Sequence, residues 1–318
     1  LARGKTGFTL PGIAPRDCPM NTHLKGLIIT ALGVLFVVPD SLFVRLIDGD
    51  AASIAFWRGI TAGSVILTGV LLFQGQRGIR EVVKTGKHGL LYAFLIAITA
   101  PGFVFAVSLT SVANVVFILA SMPVFAAIFS RIFLGEAISK RMVLTMAGVF
   151  AGLGVIAWGS GETHGAHWHG DLIALGVSAS FAGAMTTARQ LRAVSMIPAI
   201  PLAFLGASLA IWPVAQPMAV WQANWPLILA HGAFISVSTC LLTLGPRYLA
   251  SAEVALLILL ESVLAPLLVW AVVGEDPGPW AIVGGVVVIG ALFASNLWAL
   301  RHNRRLRNRP QPRTGPPV

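Results

Sequence analysis

Four ionisable side chains, Asp40, Arg58, Glu253 and Glu261, stand inside long apolar runs of a 318-residue chain. A charge at the centre of a bilayer costs on the order of 2.5 to 3.5 kcal/mol on insertion scales, so a helix keeps one only where something compensates it. Asp40 precedes Ile47 by seven residues and Arg58 follows Ala51 by seven, on either side of one short turn. At about 1.5 Å per residue both lie roughly 10 Å in from the same end of their helices, which predicts an Asp40–Arg58 ion pair. Two readings of that pair stand open. It is either a neutralised packing contact or a switch in which Arg58 binds a substrate carboxylate in one state and Asp40 in the other. Trp57 points to a different helix face and reads as packing.

Glu261 lies about ten residues into its run, some 15 Å deep and close to the midplane. No basic residue on the neighbouring stretches offers an obvious partner. A carboxyl in that position can pick up and release a proton as a chamber opens to each side. The structural alternative is an acid hydrogen-bonded to backbone freed by Pro266 or another proline. Glu253 and Asn114 sit nearer opposite membrane faces and read either as gate residues or as polar groups at helix ends.

The elements that hold these side chains follow from composition. Hydrophobic residues make up 56% and charged residues 11% of the chain, with a mean hydropathy of +0.83, whereas soluble domains carry about 25% charged residues. A water-soluble globule is excluded. Apolar stretches matching a hydrocarbon thickness of about 30 Å recur along the chain. We place ten of them near 25–47, 51–73, 89–109, 111–133, 141–159, 171–189, 199–216, 227–246, 250–273 and 279–300. They lack the alternation of barrel strands, so the expected class is an all-α integral membrane bundle.

Basic residues orient the bundle. With ten spans, 20 of the 22 Lys and Arg fall on one side, leaving Arg45 and Arg58 as the exceptions. The positive-inside rule then puts both termini in the cytoplasm. The chain also repeats itself. Glu136 in FSRIFLGEAIS and Glu275 in VWAVVGEDPG close similar segments at an offset of 139, which lays Asn114 over Glu253 and Pro123 over Ser262. A second register of 144 lays Gly26 over Gly170 and Arg45 over Arg189. With five spans per copy, the second copy enters the membrane inverted, a construction that lets two halves close alternately around a central site.

The stretch SVANVVFILASMPVFAAIFSRIFLGEAIS from Ser111 resembles the signature of the drug/metabolite transporter superfamily, EamA type. Its counterpart ASAEVALLILLESVLAPLLVWAVVGE resembles the family's second copy, with Ser262 where the family commonly has proline. The resemblance implies a ten-helix permease of two five-helix repeats, moving small metabolites by alternating access, often exporting amino acids or related compounds. The expected division is a disordered cytoplasmic tail at 1–23, repeats at 24–160 and 161–300, and a basic cytoplasmic tail at 301–318. The expected location is a bacterial inner membrane. Uptake of another small metabolite is the alternative function.

An intramembrane enzyme is the competing class, but HExxH, GxSxG, Walker and paired-cysteine motifs are missing from the sequence. No cofactor is implied. The imidazoles His164, His167 and His169 lie in a polar loop too flexible to preorganise a metal site, so no metal is expected. The net charge of +10 reads as topology and contact with anionic lipid headgroups rather than nucleic-acid binding. Cys18 and Cys240 form no disulfide framework, and Met20 just before the first span is the expected start. Pro39, Pro101, Pro123, Pro213 and Pro266 lie within spans and are expected to kink them. No feature sets an oligomeric state.

Overall fold

The computed structural model describes residues 19–135, 137–160, 167–191, 194–244, 248 and 251–307. For 19–23, 134, 160, 251–256, 299–300 and 302–307 it describes the backbone alone. Among the described residues the regular structure is entirely helical. In chain order the helices are α1 (Pro19–Val37), α2 (Asp40–Leu46), α3 (Ala51–Phe73), α4 (Gly75–Lys84), α5 (Lys87–Leu109), α6 (Val112–Leu119) and α7 (Met122–Leu134). They continue as α8 (Lys140–Ser160), α9 (Trp168–Gln190), α10 (Ala199–Ile211), α11 (Pro217–Leu244), α12 (Ser251–Val273) and α13 (Pro279–Arg307).

Eight segments are long and apolar enough to cross a membrane, and Ala199–Val214 and Leu257–Val273 are shorter apolar helices. The first and fourth of the eight, Leu24–Leu46 and Val112–Phe133, are each built from two helices in series. Proline explains both interruptions: it lacks a donor, and its ring crowds the preceding turn. Pro39 stands between α1 and α2, and Pro123 opens α7 just after the turn at Ala120 and Ser121. Pro101 and Pro266 instead remain inside continuous helices. Pro213 falls in a 3-10 turn, Trp212–Val214, at the end of α10. An unexpected break comes at Asn224 in α11, whose backbone leaves the helical region two residues before Pro226.

Helix α1 begins at Pro19, within the stretch expected to be disordered, α13 runs on to Arg307, and the joint after the second span holds the amphipathic helix α4. Glu136 and most of the loop carrying His164 lie outside the described residues.

Small residues let the helices approach closely, as packing between membrane helices requires. A Cβ on Gly152 of α8 would meet the carbonyl oxygen of Gly284 on α13 at 2.8 Å, and one on Gly284 would meet that of Gly152 at 2.6 Å. Gly59 of α3 leaves similar room for Phe204 and Ser208 of α10. The largest core gathers Val34, Val44, Ile54, Phe103, Val104, Val115, Phe117, Ile228 and Val269 from both halves of the chain. The outer faces are apolar too: Leu72, Phe73, Leu90, Leu144 and Trp158 are each more than 70% exposed, a surface that suits lipid.

Candidate functional site

The break at Pro39 sets Asp40 at the first turn of α2, facing α3 and α11. Arg58 of α3 holds it as a fork: Nε donates to Asp40 Oδ1 at 3.0 Å and Nη2 donates to Oδ2 at 2.6 Å. The remaining terminal nitrogen, Nη1, donates to the Ala100 carbonyl at 3.2 Å, just before Pro101 in α5. The Phe103 ring lies 5.6 Å from the guanidinium, at cation–π distance. Asp40 is 3% and Arg58 8% exposed, so water screens neither. Two-point pairing of this kind is among the stronger protein hydrogen-bond arrangements.

A third member was not anticipated from the sequence. His231 of α11 is 1% exposed and places Nε2 2.6 Å from Asp40 Oδ1. Its ring stacks on Phe43 of α2, with centroids 5.3 Å apart. Gly232 keeps α11 close to α3 at Thr61 and Ala62, one turn beyond Arg58. The available signal was a lone imidazole in the apolar run LILAHGAFIS.

Glu261 is half-buried on the α12 flank that also carries Ile258 and Leu268, both packed on the main core. Helix α12 packs on α1 and on α2, the helix that carries Asp40, so Glu261 stands on an element adjoining the Asp40 cluster. Glu253 falls in the first turn of α12, where only the backbone is described.

Asn114 belongs to a separate knot. The Ser111 hydroxyl caps α6 by accepting from Asn114 N at 3.2 Å. The Asn114 amide donates to Thr110 Oγ1 and Asp171 Oδ1, both at 3.2 Å, and Thr110 Oγ1 donates to the same Asp171 oxygen at 2.8 Å. Beside it, Arg45 Nε pairs with Glu275 Oε2 at 2.6 Å, while Arg45 Nη2 donates to the Thr110 carbonyl at 2.9 Å. Glu275 Oε1 accepts from Val112 N at 2.7 Å. The ends of α2, α5, α6 and α9 and the turn before α13 are thus tied together. The structure brings Asp40, Arg58 and Glu261 into one neighbourhood and puts Asn114 in another.

Long apolar helices around a buried charge cluster, broken where the cluster sits, define a multi-pass integral membrane protein. Residues 24–158 match the EamA-like transporter family, which supports assignment of the chain to the drug/metabolite transporter superfamily, EamA type. That family implies a membrane transporter. A solved crystal structure of a protein that is 17% identical matches with a TM-score of 0.62, covering 88% of this chain and 99% of its own, and so shares the fold. A comparison with curated proteins gives no match.

Proposed function

We propose that this chain is a ten-span secondary transporter of two inverted repeats, 24–160 and 161–300, that exports amino acids or related small metabolites by alternating access, coupled to protons. Its setting is a bacterial inner membrane, with both termini cytoplasmic. The carrying observation is the buried Asp40–Arg58 fork. A guanidinium so placed, with a carboxylate as its resident partner, is a preformed receptor for a substrate carboxylate that replaces Asp40. Removing one partner of a buried pair without replacement costs about 3 to 5 kcal/mol, so Arg58 leaves Asp40 only for an equivalent anion.

Packing supports the inverted repeat. Counting Ala199–Val214 and Ser251–Val273 as spans brings the total to ten. Exchanging the halves then turns one set of neighbours into another: α5 packs on α9 as α1 packs on α11, and α3 on α11 as α10 on α5. The pairs α3 with α10 and α8 with α13 map onto themselves. This is the pattern a twofold axis in the membrane plane produces.

Glu261 is the proposed proton-coupling group, because it is half-buried on α12, which packs on α1 and α2, while Asp40 is 3% exposed. Asn114 and Glu253 are proposed as gate residues at opposite ends. The test is flux in proteoliposomes. Saturable movement of amino acids is expected, with Arg58→Ala losing carboxylate substrates and keeping neutral analogues. Chemical turnover of a solute without a change of compartment would instead indicate an enzyme.

A further inference from the structure

Arg58 cannot leave Asp40 for a substrate unless something else neutralises that buried carboxylate. We propose that His231 does so: when the carboxylate of a net-anionic substrate takes Arg58, Asp40 passes to a protonated His231, so each such substrate bound brings one proton with it. The inference rests on the transport reading above and assigns a role to a residue outside the predicted site.

Charge conservation carries it. With Arg58 on Asp40 and a neutral imidazole, the cluster sums to zero. An incoming carboxylate adds one negative charge among groups that are 8% exposed or less. An uncompensated charge in such a place costs several kcal/mol, so a positive charge must arrive with it: a neutral amino acid brings its own α-ammonium, and a substrate with a net negative charge requires a proton. The groups facing His231 leave few sources. From α2 there is Asp40, from α3 there is Arg58, and Phe43 covers one ring face. Helix α1 also packs on α11, but its Lys25 sits over the Tyr248 ring. Glu261 offsets the charge only by taking up a proton itself, and among the described residues no hydrogen bond joins it to Asp40, whereas His231 is bonded to that carboxylate.

His231 alone is a proton acceptor already in contact, 2.6 Å from Asp40 Oδ1. The proton comes from the water on whichever side the chamber is open, binds the imidazole, and returns to water when the substrate leaves and Arg58 recovers Asp40. No bond other than these N–H bonds forms or breaks. His231 touches Asp40 and not the substrate, so it is a positioning residue.

Thermal unfolding of the purified, ligand-free protein tests the exchange without a substrate, comparing about pH 5.5 with about pH 8.5, either side of the ordinary imidazole range near 6.5. Arg58→Gln leaves Asp40 with His231 as its partner. That pairing is fully present below the imidazole range of the unfolded chain and is lost as pH rises. Arg58→Gln is therefore expected to melt well below wild type at the higher pH and to regain most of that loss at the lower. In Arg58→Gln/His231→Gln the lone Asp40 must itself take the proton, against an unfolded value near 3.9, so at the lower pH this variant should still melt clearly below Arg58→Gln. Arg58→Gln/Asp40→Asn should show neither loss nor recovery. Equal recovery with and without His231, or none in Arg58→Gln, overturns the proposal.

If Arg58→Gln does not fold, proteoliposome flux of a mixture of the twenty common L-amino acids, followed for its acidic members, decides. Wild-type flux is expected to fall as pH rises through the imidazole range, and His231→Gln to flatten that profile. Identical profiles overturn the role of His231. Wild-type protein that moves no amino acid overturns the transport reading instead, while the melts still report on His231.

Discussion

Arg58 has all three of its nitrogens engaged, two on Asp40 and one on the Ala100 carbonyl. A side chain so fully satisfied in a buried place is part of the stability of the bundle as well as the proposed receptor. Arg58→Ala is expected to lower unfolding stability by about 3 to 5 kcal/mol, measured by denaturant or thermal melts, because it leaves Asp40 charged and half-partnered. Glu261→Gln is expected to leave the fold intact and equilibrium exchange running while abolishing the dependence of neutral amino-acid flux on a pH gradient. Unchanged gradient-driven flux would dismiss Glu261 as the coupling group. The Asp40–Arg58 pair was legible in the sequence because opposite charges at equal depth on adjacent helices have few other places to go. His231 was not: an imidazole carries no obligatory charge, and 191 residues separate it from Asp40. Only the packing of α11 against α2 and α3 makes them neighbours.

At the scale of elements, the interruptions matter more than the helices. Pro39 and Pro123 mark where α1 ends and where α7 begins, yet Pro101 and Pro266 sit within unbroken helices, so a missing donor alone does not end a membrane helix. The polar stretch after the second span hid helix α4, since its buried positions are only Gly78 and Val82. Arg45 and Glu275 each stood out in the sequence, but nothing local joins α2 to the turn before α13. Their pair, with Glu275 also accepting from Val112 N, ties α2 and α6 to the turn before α13, and in the proposed topology it is a latch at the external end. Arg45→Glu is expected to loosen it by like-charge repulsion. Impermeant thiol reagents applied from outside should then label a cysteine placed at Glu261 several-fold faster than in the parent carrying Arg45. Adding Glu275→Arg should restore slow labelling; equal rates in all three proteins would remove the latch.

The whole molecule follows from lipid as solvent. Exposed Leu72, Phe73, Leu144 and Trp158 would be a liability in water and are the surface of a membrane bundle. Hydropathy made the class legible at once, whereas span number is harder to read. Ala199–Val214 rises only about 24 Å, less than the hydrocarbon thickness of about 30 Å, and its length depends on a 3-10 turn that sequence does not announce. A reporter fused beyond residue 300 is expected to be active in the cytoplasm, and activity on the exterior would reverse the topology. The most direct measurement is two-sided access to one position. Glu261→Cys, in protein lacking Cys18 and Cys240, would be treated with an impermeant thiol reagent in right-side-out and in inverted vesicles. The expected result is labelling in both orientations, because one chamber opens to each side in turn. Labelling from a single side under every condition, or from neither, would contradict it.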